Sequence, residues 1–368
     1  MQDTKTSVLV TGISGNLGLR LLAQLSDFSV IGVDLKPPTT DVPLRFFEMD
    51  FGEEESCRTL SHLIREYRPS AVVHLAFVID PIRTDILDVQ RMWRINVAGT
   101  ARVMEAITEV NRNSTTVRKF IFPSSVSAYG PDLPGMVDEN FPLGAHTLPY
   151  AVHKRESDQV VQARANALGH CSTYILRPHI FTGASVQNYL VGAFRGTPTG
   201  RGKWGAKLRA QGKRLPCMLP LGRRYLDNGI QFIHVDDMAR VIAHILRRKD
   251  PDPSMTILNV AGRGMPLTFR RCIEISGSRL VRLPGKASCR LALKILWDLG
   301  ISGIPPDALP YMTGTYTMNT DRLHTFLGAD YPRVIQHTVE EAFADSFKDM
   351  PTAPHAPAAV KTDRAFSS

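Results

Sequence analysis

The sequence predicts an α/β fold, a doubly wound parallel sheet with helices on both faces, and three observations predict it. Short β-branched runs alternate with longer segments of helical period. A glycine-rich turn, Thr11-Gly-Ile-Ser-Gly-Asn-Leu-Gly18, joins the first run to the first helical segment. An acid, Asp34, closes the second run.

Taken in order, strands are expected at 7–10, 30–34, 71–75, 119–122 and 173–176, with helices at 17–25, 89–110 and 149–168. After Arg177-Pro178 the rhythm breaks, then resumes with a strand at 230–234, a helix through 245 and a strand at 256–260. Residues 1–180, completed by 230–261, are expected to form a Rossmann domain for a dinucleotide. Residues 181–229 and 262–347 are expected to form a smaller, discontinuous C-terminal substrate domain. From Pro351 the composition turns to Pro, Ala and Ser, so 348–368 read as a disordered tail.

With 368 residues, 43% of them hydrophobic, the chain can bury a large core. Cys57, Cys171, Cys217, Cys272 and Cys289 are scattered without a C-x-x-C pair, which points to buried thiols in a reducing, cytoplasmic setting. No signal-peptide pattern is seen, and no apolar window approaches the roughly 18 residues that span a bilayer. The net charge of +9 is concentrated in 184–226, which holds nine Lys or Arg and no Asp or Glu. No nucleic-acid motif accompanies it, so it is expected to be a solvated Gly-rich insertion; attraction for an anionic substrate or an acidic surface is the alternative.

The glycine turn is the local signal for a pyrophosphate. Gly12 and Gly15 permit a tight turn and close backbone approach, and the helix opening at Asn16-Leu17-Gly18 offers free amides. Asp34 stands where an acid takes the adenine-ribose 2′-hydroxyl and would repel a 2′-phosphate, so NAD is expected over NADP.

Tyr150-Ala-Val-His-Lys154 has helical period, which sets Tyr150 and Lys154 at i and i+4 on one face. A phenol is a poor base at neutral pH, and a nearby ammonium together with the positive nicotinamide is expected to lower its pKa toward the working range. Upstream, the strand ending at Phe122 runs into Pro123-Ser-Ser-Val-Ser-Ala-Tyr-Gly130, where Ser125 is positioned to donate to a substrate oxygen. His74 and His234 sit in apolar strands without a second ligand at metal spacing, so they read as structural and no metal is expected. Tyr129 and Trp93 read as packing residues.

With these residues the sequence resembles the extended short-chain dehydrogenase/reductase family, in its NAD-dependent epimerase/dehydratase group. The resemblance is carried by Val10-Thr-Gly-Ile-Ser-Gly-Asn-Leu-Gly18, Val73-His-Leu-Ala76, Asn96-Val-Ala-Gly-Thr100, Ser124-Ser-Val-Ser-Ala-Tyr-Gly130, the Tyr150/Lys154 pair, Leu176-Arg-Pro178 and Phe232-Ile-His-Val-Asp-Asp237. It implies that Tyr150 is the acid/base, that Lys154 holds the nicotinamide ribose, and that Ser125 is the catalytic hydroxyl. It also implies that Asp50 and Phe51 contact adenine, that Leu75, Ala76, Phe77 and Pro178 line the cofactor, and that Asn96 supports the site. Phe77 stands where a small residue is common.

The family's most populous use implies a nucleotide-sugar epimerase or dehydratase, with NAD retained. Ile180 and Ile230 replace the polar residues that usually bind the diphosphate, which keeps open a hydroxysteroid-type or other secondary-alcohol dehydrogenase that releases NADH. An idle NAD-binding protein is the third reading. The segment 291–299 is expected to cover the substrate or to pack. The resemblance further implies a homodimer through 89–110 and 149–168, acting on a small molecule.

Overall fold

A computed structural model describes residues 5–79, 88–249 and 255–349. Seven strands form one parallel sheet in the order Met255–Val260, Ser172–Pro178, Lys119–Pro123, Ala71–His74, Thr6–Thr11, Phe28–Asp34, Arg45–Glu48. The chain builds outward from Thr6–Thr11 through two strands, then returns to the other side at Ala71–His74. That reversal opens a crevice at the carboxyl ends of the two neighbouring strands.

Strand alternation divides the buried residues between two faces. Val8 and Val10 join Leu21 and Leu22 of the helix Asn16–Leu22 and Met238, Val241, Ile242 and Ile245 of the helix Val235–Arg247. Leu9 joins Leu60 and Ile64 of Glu55–Tyr67, Val103 and Ile107 of Gly99–Asn111, and Val161 of Pro149–Arg164. A sheet covered on both faces needs runs apolar at every position, which is why Val8-Leu-Val10 and Phe120-Ile-Phe122 read so clearly.

Beyond Pro178 lies another core, built on Phe194, Phe232, Phe269 and Phe343 with Tyr311, Tyr316 and Met318. Short strand pairs carry it: Phe232–His234 beside Ile180–Thr182, Cys217–Pro220 beside Leu280–Leu283, and Gly229–Ile230 beside Leu267–Thr268.

Several expectations need correction. The strand expected at 230–234 is outside the main sheet, and the place is taken by Arg45–Glu48, an edge strand with no buried residue and hence no strong apolar signal. The helix expected over 89–110 is α only at Val89–Trp93 and Gly99–Asn111, with a π-helical turn, Arg94–Ala98, between. The basic stretch is solvated at most of its Lys and Arg but is not a loop: it forms the helices Tyr189–Arg195, Lys203–Ala210 and Arg224–Asp227 and the strand Cys217–Pro220. Arg195 and Arg209 donate to the backbone carbonyls of Ser346 and Pro198. From residue 350 onward the expected tail lies outside the described residues. Among the described residues no helix is long and apolar enough to cross a membrane, and all five cysteines are free.

Candidate active site

The crevice begins at the glycine turn. Gly12 has φ +70°, and a Cβ there would meet Ala76 N at 2.5 Å and the Leu75 carbonyl carbon at 2.6 Å, so only glycine fits against the Leu75-Ala76 backbone. At Gly18 a Cβ would strike Ile13 O at 2.4 Å. At Gly15 it would touch only Gly12 O, at 3.3 Å, which leaves a cradle open on the outer side. Gly15 caps the helix Asn16–Leu22 with no side-chain hydrogen bond, so the first amides remain for a ligand.

Around the turn, Asp34 Oδ2 accepts from Ser14 N at 2.9 Å and Oδ1 from Leu35 N at 2.7 Å, which fixes the carboxylate beside the turn. The Asn16 amide donates to Ser185 Oγ at 3.0 Å, tying the helix start to the segment after Ile180–Thr182. Leu17 packs on the adjoining core. Asp50 accepts from Gly52 N at 2.7 Å, while the Phe51 ring turns inward, edge-on to His74.

Asn96 lies in the π-helical turn, a widening that aims its amide at the chain after Ala71–His74. Its Oδ1 accepts from Val78 N at 2.7 Å and its Nδ2 donates to Val78 O at 3.0 Å. Its own carbonyl accepts from Ser157 of the helix Pro149–Arg164, so one residue joins two walls. His74 is a structural histidine: Nδ1 is 2.7 Å from Thr11 Oγ1 and Nε2 3.1 Å from Thr100 Oγ1, and burial pushes its pKa down to about 3. His234 caps the helix Val235–Arg247 and stacks on His337 with centroids 4.0 Å apart.

The catalytic candidates gather at the carboxyl edge of Lys119–Pro123. Ser125 caps a 3-10 turn, Val126–Tyr129; its Oγ accepts from Ser127 N at 3.1 Å and lies 2.7 Å from Ser127 Oγ. Burial raises the pKa of the half-buried Tyr150 phenol, and in this structure the groups that oppose that rise are the Ser125 and Ser127 hydroxyls. Lys154 instead donates to Pro123 O at 2.7 Å, with Nζ 3.6 Å from the centroid of the Phe77 ring and 5.1 Å from that of Phe122. Burial pushes Lys154 down to about 7, with Asp158 opposing. The Phe77 ring also meets Tyr150 edge-on at 5.9 Å, so it contacts both members of the pair.

Sequence reasoning missed several groups here. Ser127 lay inside a quoted segment and was passed over. Tyr316 and Tyr311 carried no motif. Their hydroxyls, and that of Thr147, are buried and make no hydrogen bond of good geometry. Tyr150 and Ser127 both act on Tyr316, whose phenol burial raises well above its ordinary value. Tyr129 packs in the core as expected, and its hydroxyl also donates to Asn259 Oδ1 at 2.7 Å and accepts from Arg177 at 2.9 Å. Trp93 is exposed and donates to Glu156. Pro178 ends its strand beside Val260. Ile230 is fully buried and pairs with Leu267, so its apolar character follows from packing.

The model of the NAD dependent epimerase/dehydratase family matches residues 8–261. A UDP-glucose 4-epimerase of Erwinia amylovora is 29% identical over 184 residues, covering 46% of this chain and 52% of the relative. The chain thus spans about half the length of that curated relative. Among solved structures, the Thermus thermophilus UDP-glucose 4-epimerase complex with NAD aligns with a TM-score of 0.63 at 19% identity, covering 94% of this chain and 100% of that one. MoeE5 in complex with UDP-glucuronic acid and NAD aligns with a TM-score of 0.62 at 21% identity, covering 93% and 97%.

Proposed function

The chain belongs to the NAD dependent epimerase/dehydratase family, and from that premise we propose that it oxidises and re-reduces a hydroxyl-bearing carbon of a nucleotide sugar, as an epimerase or dehydratase. The observation that carries the proposal is the convergence of Ser125, Ser127, Tyr150 and Lys154 at the sheet edge beside the glycine turn. NAD, when bound, supplies the hydride acceptor. Gly12, Gly15, Asn16, Leu17 and Gly18 take the pyrophosphate on backbone amides, and Asp34 accepts the adenine-ribose hydroxyls and repels a 2′-phosphate. The backbones of Asp50 and Phe51 flank adenine, and Leu75, Ala76, Phe77 and Pro178 wall the site. Lys154 would hold the nicotinamide ribose, Ser125 would donate to the substrate oxygen, and Tyr150 would take its proton as the hydride passes to the cofactor.

Residues 1–180 with 230–261 serve as the cofactor unit, and 181–229 with 262–347 close over the substrate. A homodimer through the outer faces of 89–110 and 149–168 is supported by the exposed Val89 and Trp93. A second reading, a secondary-alcohol dehydrogenase that releases NADH, is favoured by the apolar Ile180.

Acid-released nucleotide from freshly purified protein separates the two. Stoichiometric retained NAD, with interconversion of a UDP-sugar abolished by Tyr150→Phe, supports the first. Exchangeable NAD with free NADH appearing on an alcohol supports the second, and failure to bind NAD refutes both.

A further inference from the structure

Two neighbouring surface elements present apolar side chains to solvent, and the second of them is strongly cationic. The helix Gly285–Asp298 buries Cys289 and Leu293. Its inner face closes an apolar cavity of about 60 Å³ with Phe194, Leu219 and Phe269. Leu291, Ile295 and Leu299 face the other way and are 60%, 50% and 47% exposed. Their spacing of four residues lines them along one side of the helix, where no core receives them.

The second element, Lys203–Ala210, is pinned to the end of the first. Gly202 N donates to Gly300 O at 2.9 Å, and a Cβ at Gly202 would meet Leu299 O, or at Gly205 Gly300 O, at 2.6 Å. Gly205 is the one buried residue of this short helix. Trp204, between those two glycines, is 57% exposed, with the Lys207 ammonium 5.5 Å from its ring centroid. Residues 201–214 hold Arg201, Lys203, Lys207, Arg209, Lys213 and Arg214 and no carboxylate. On the longer helix the one acid, Asp298, is paired with Lys294, while Arg290 pairs with Asp307 and Lys286 with Asp132.

Single exposed leucines are ordinary, but a row of three on one helix, with an exposed tryptophan on the acid-free cationic segment pinned to that helix's end, is not required by the fold. An acidic protein surface would complement the cations and leave the apolar row wet. An anionic lipid surface complements both: Trp, Leu and Ile enter the boundary between headgroups and acyl chains, and Lys and Arg meet the phosphates. We propose that this face docks the protein peripherally on an anionic lipid surface. The docking is independent of the redox site.

The test is co-sedimentation of the full chain with vesicles of phosphatidylcholine alone or mixed with phosphatidylglycerol, at about 0.1 M and about 0.5 M salt. The protein should bind the anionic vesicles, bind the neutral ones far less, and release at the higher salt. Leu291→Ser with Ile295→Ser, and separately Lys203→Gln with Lys207→Gln, should each weaken binding about tenfold or more while thermal midpoint and nucleotide content stay unchanged. Arg112→Gln, away from this face, should leave binding intact. No binding to anionic vesicles, or binding by both double variants equal to that of the parent, overturns the proposal. So does loss of a larger species in size exclusion by the Leu291/Ile295 variant without vesicle binding by the parent, which would assign the face to a second copy.

Discussion

Arg177 and Asp158 form a two-pronged ion pair sealed from solvent, with Nε to Oδ2 at 2.9 Å and Nη2 to Oδ1 at 3.1 Å. Asp158 lies one turn beyond Lys154 on the helix Pro149–Arg164, so the pair ties that helix to the sheet edge. Arg177 also donates to Tyr129 Oη and Glu139 O, both at 2.9 Å. Replacing Arg177 with methionine strands a buried carboxylate, which costs about 3–5 kcal/mol. The urea midpoint should fall accordingly, and an unchanged midpoint would show that the network does not hold the helix.

Tyr316 offers a different kind of test, because its hydroxyl is buried without a hydrogen bond. Phenylalanine at 316 removes an unpaired group, so stability should hold or rise slightly. If Tyr316 receives a substrate hydroxyl beside Tyr150, turnover should fall by about one to two orders of magnitude with NAD content unchanged. A merely structural tyrosine would instead lose midpoint and keep its turnover.

What the sequence disclosed follows from where the constraints are local. The turn at Gly12 is forced within a few residues, and Tyr150 and Lys154 share one helix face by spacing alone. Arg45–Glu48 was missed because an edge strand needs no buried face, and Tyr316 because it reaches Tyr150 from more than 160 positions away through the fold. The burial that raises Tyr150 in this structure is illegible for a related reason. Desolvation depends on what covers the phenol, and no spacing reports that.

Lys154 should leave a mark on stability as pH rises. Its folded pKa, about 7, lies below the ordinary 10.5, so between those values the unfolded chain holds more protons. Its contribution is therefore complete above the ordinary value and lost as pH falls to about 7. The midpoint of the parent, relative to Lys154→Met, should rise between pH 7 and 9. Parallel curves for the two proteins would mean that the ammonium is hydrated after all.

The acid limb belongs to His74 and His179, both pushed down to about 3 from an ordinary 6.5 by burial. Each is held neutral: His179 Nδ1 accepts from Ile180 N at 2.8 Å, so Nε2 donates to Tyr316 O, also at 2.8 Å. The folded state cannot easily protonate either ring, whereas the unfolded chain does so below 6.5. Stability is thus full above that value and drains as pH falls toward about 3, by about 2 kcal/mol for each histidine at pH 5. Because His179 anchors the backbone of Tyr316, His179→Asn should flatten this limb and also reduce turnover at neutral pH. Urea titrations at pH 7 and 5 read the first effect, and turnover at pH 7 reads the second. Loss of the limb with turnover intact would separate the histidine's electrostatic role from any part in holding Tyr316.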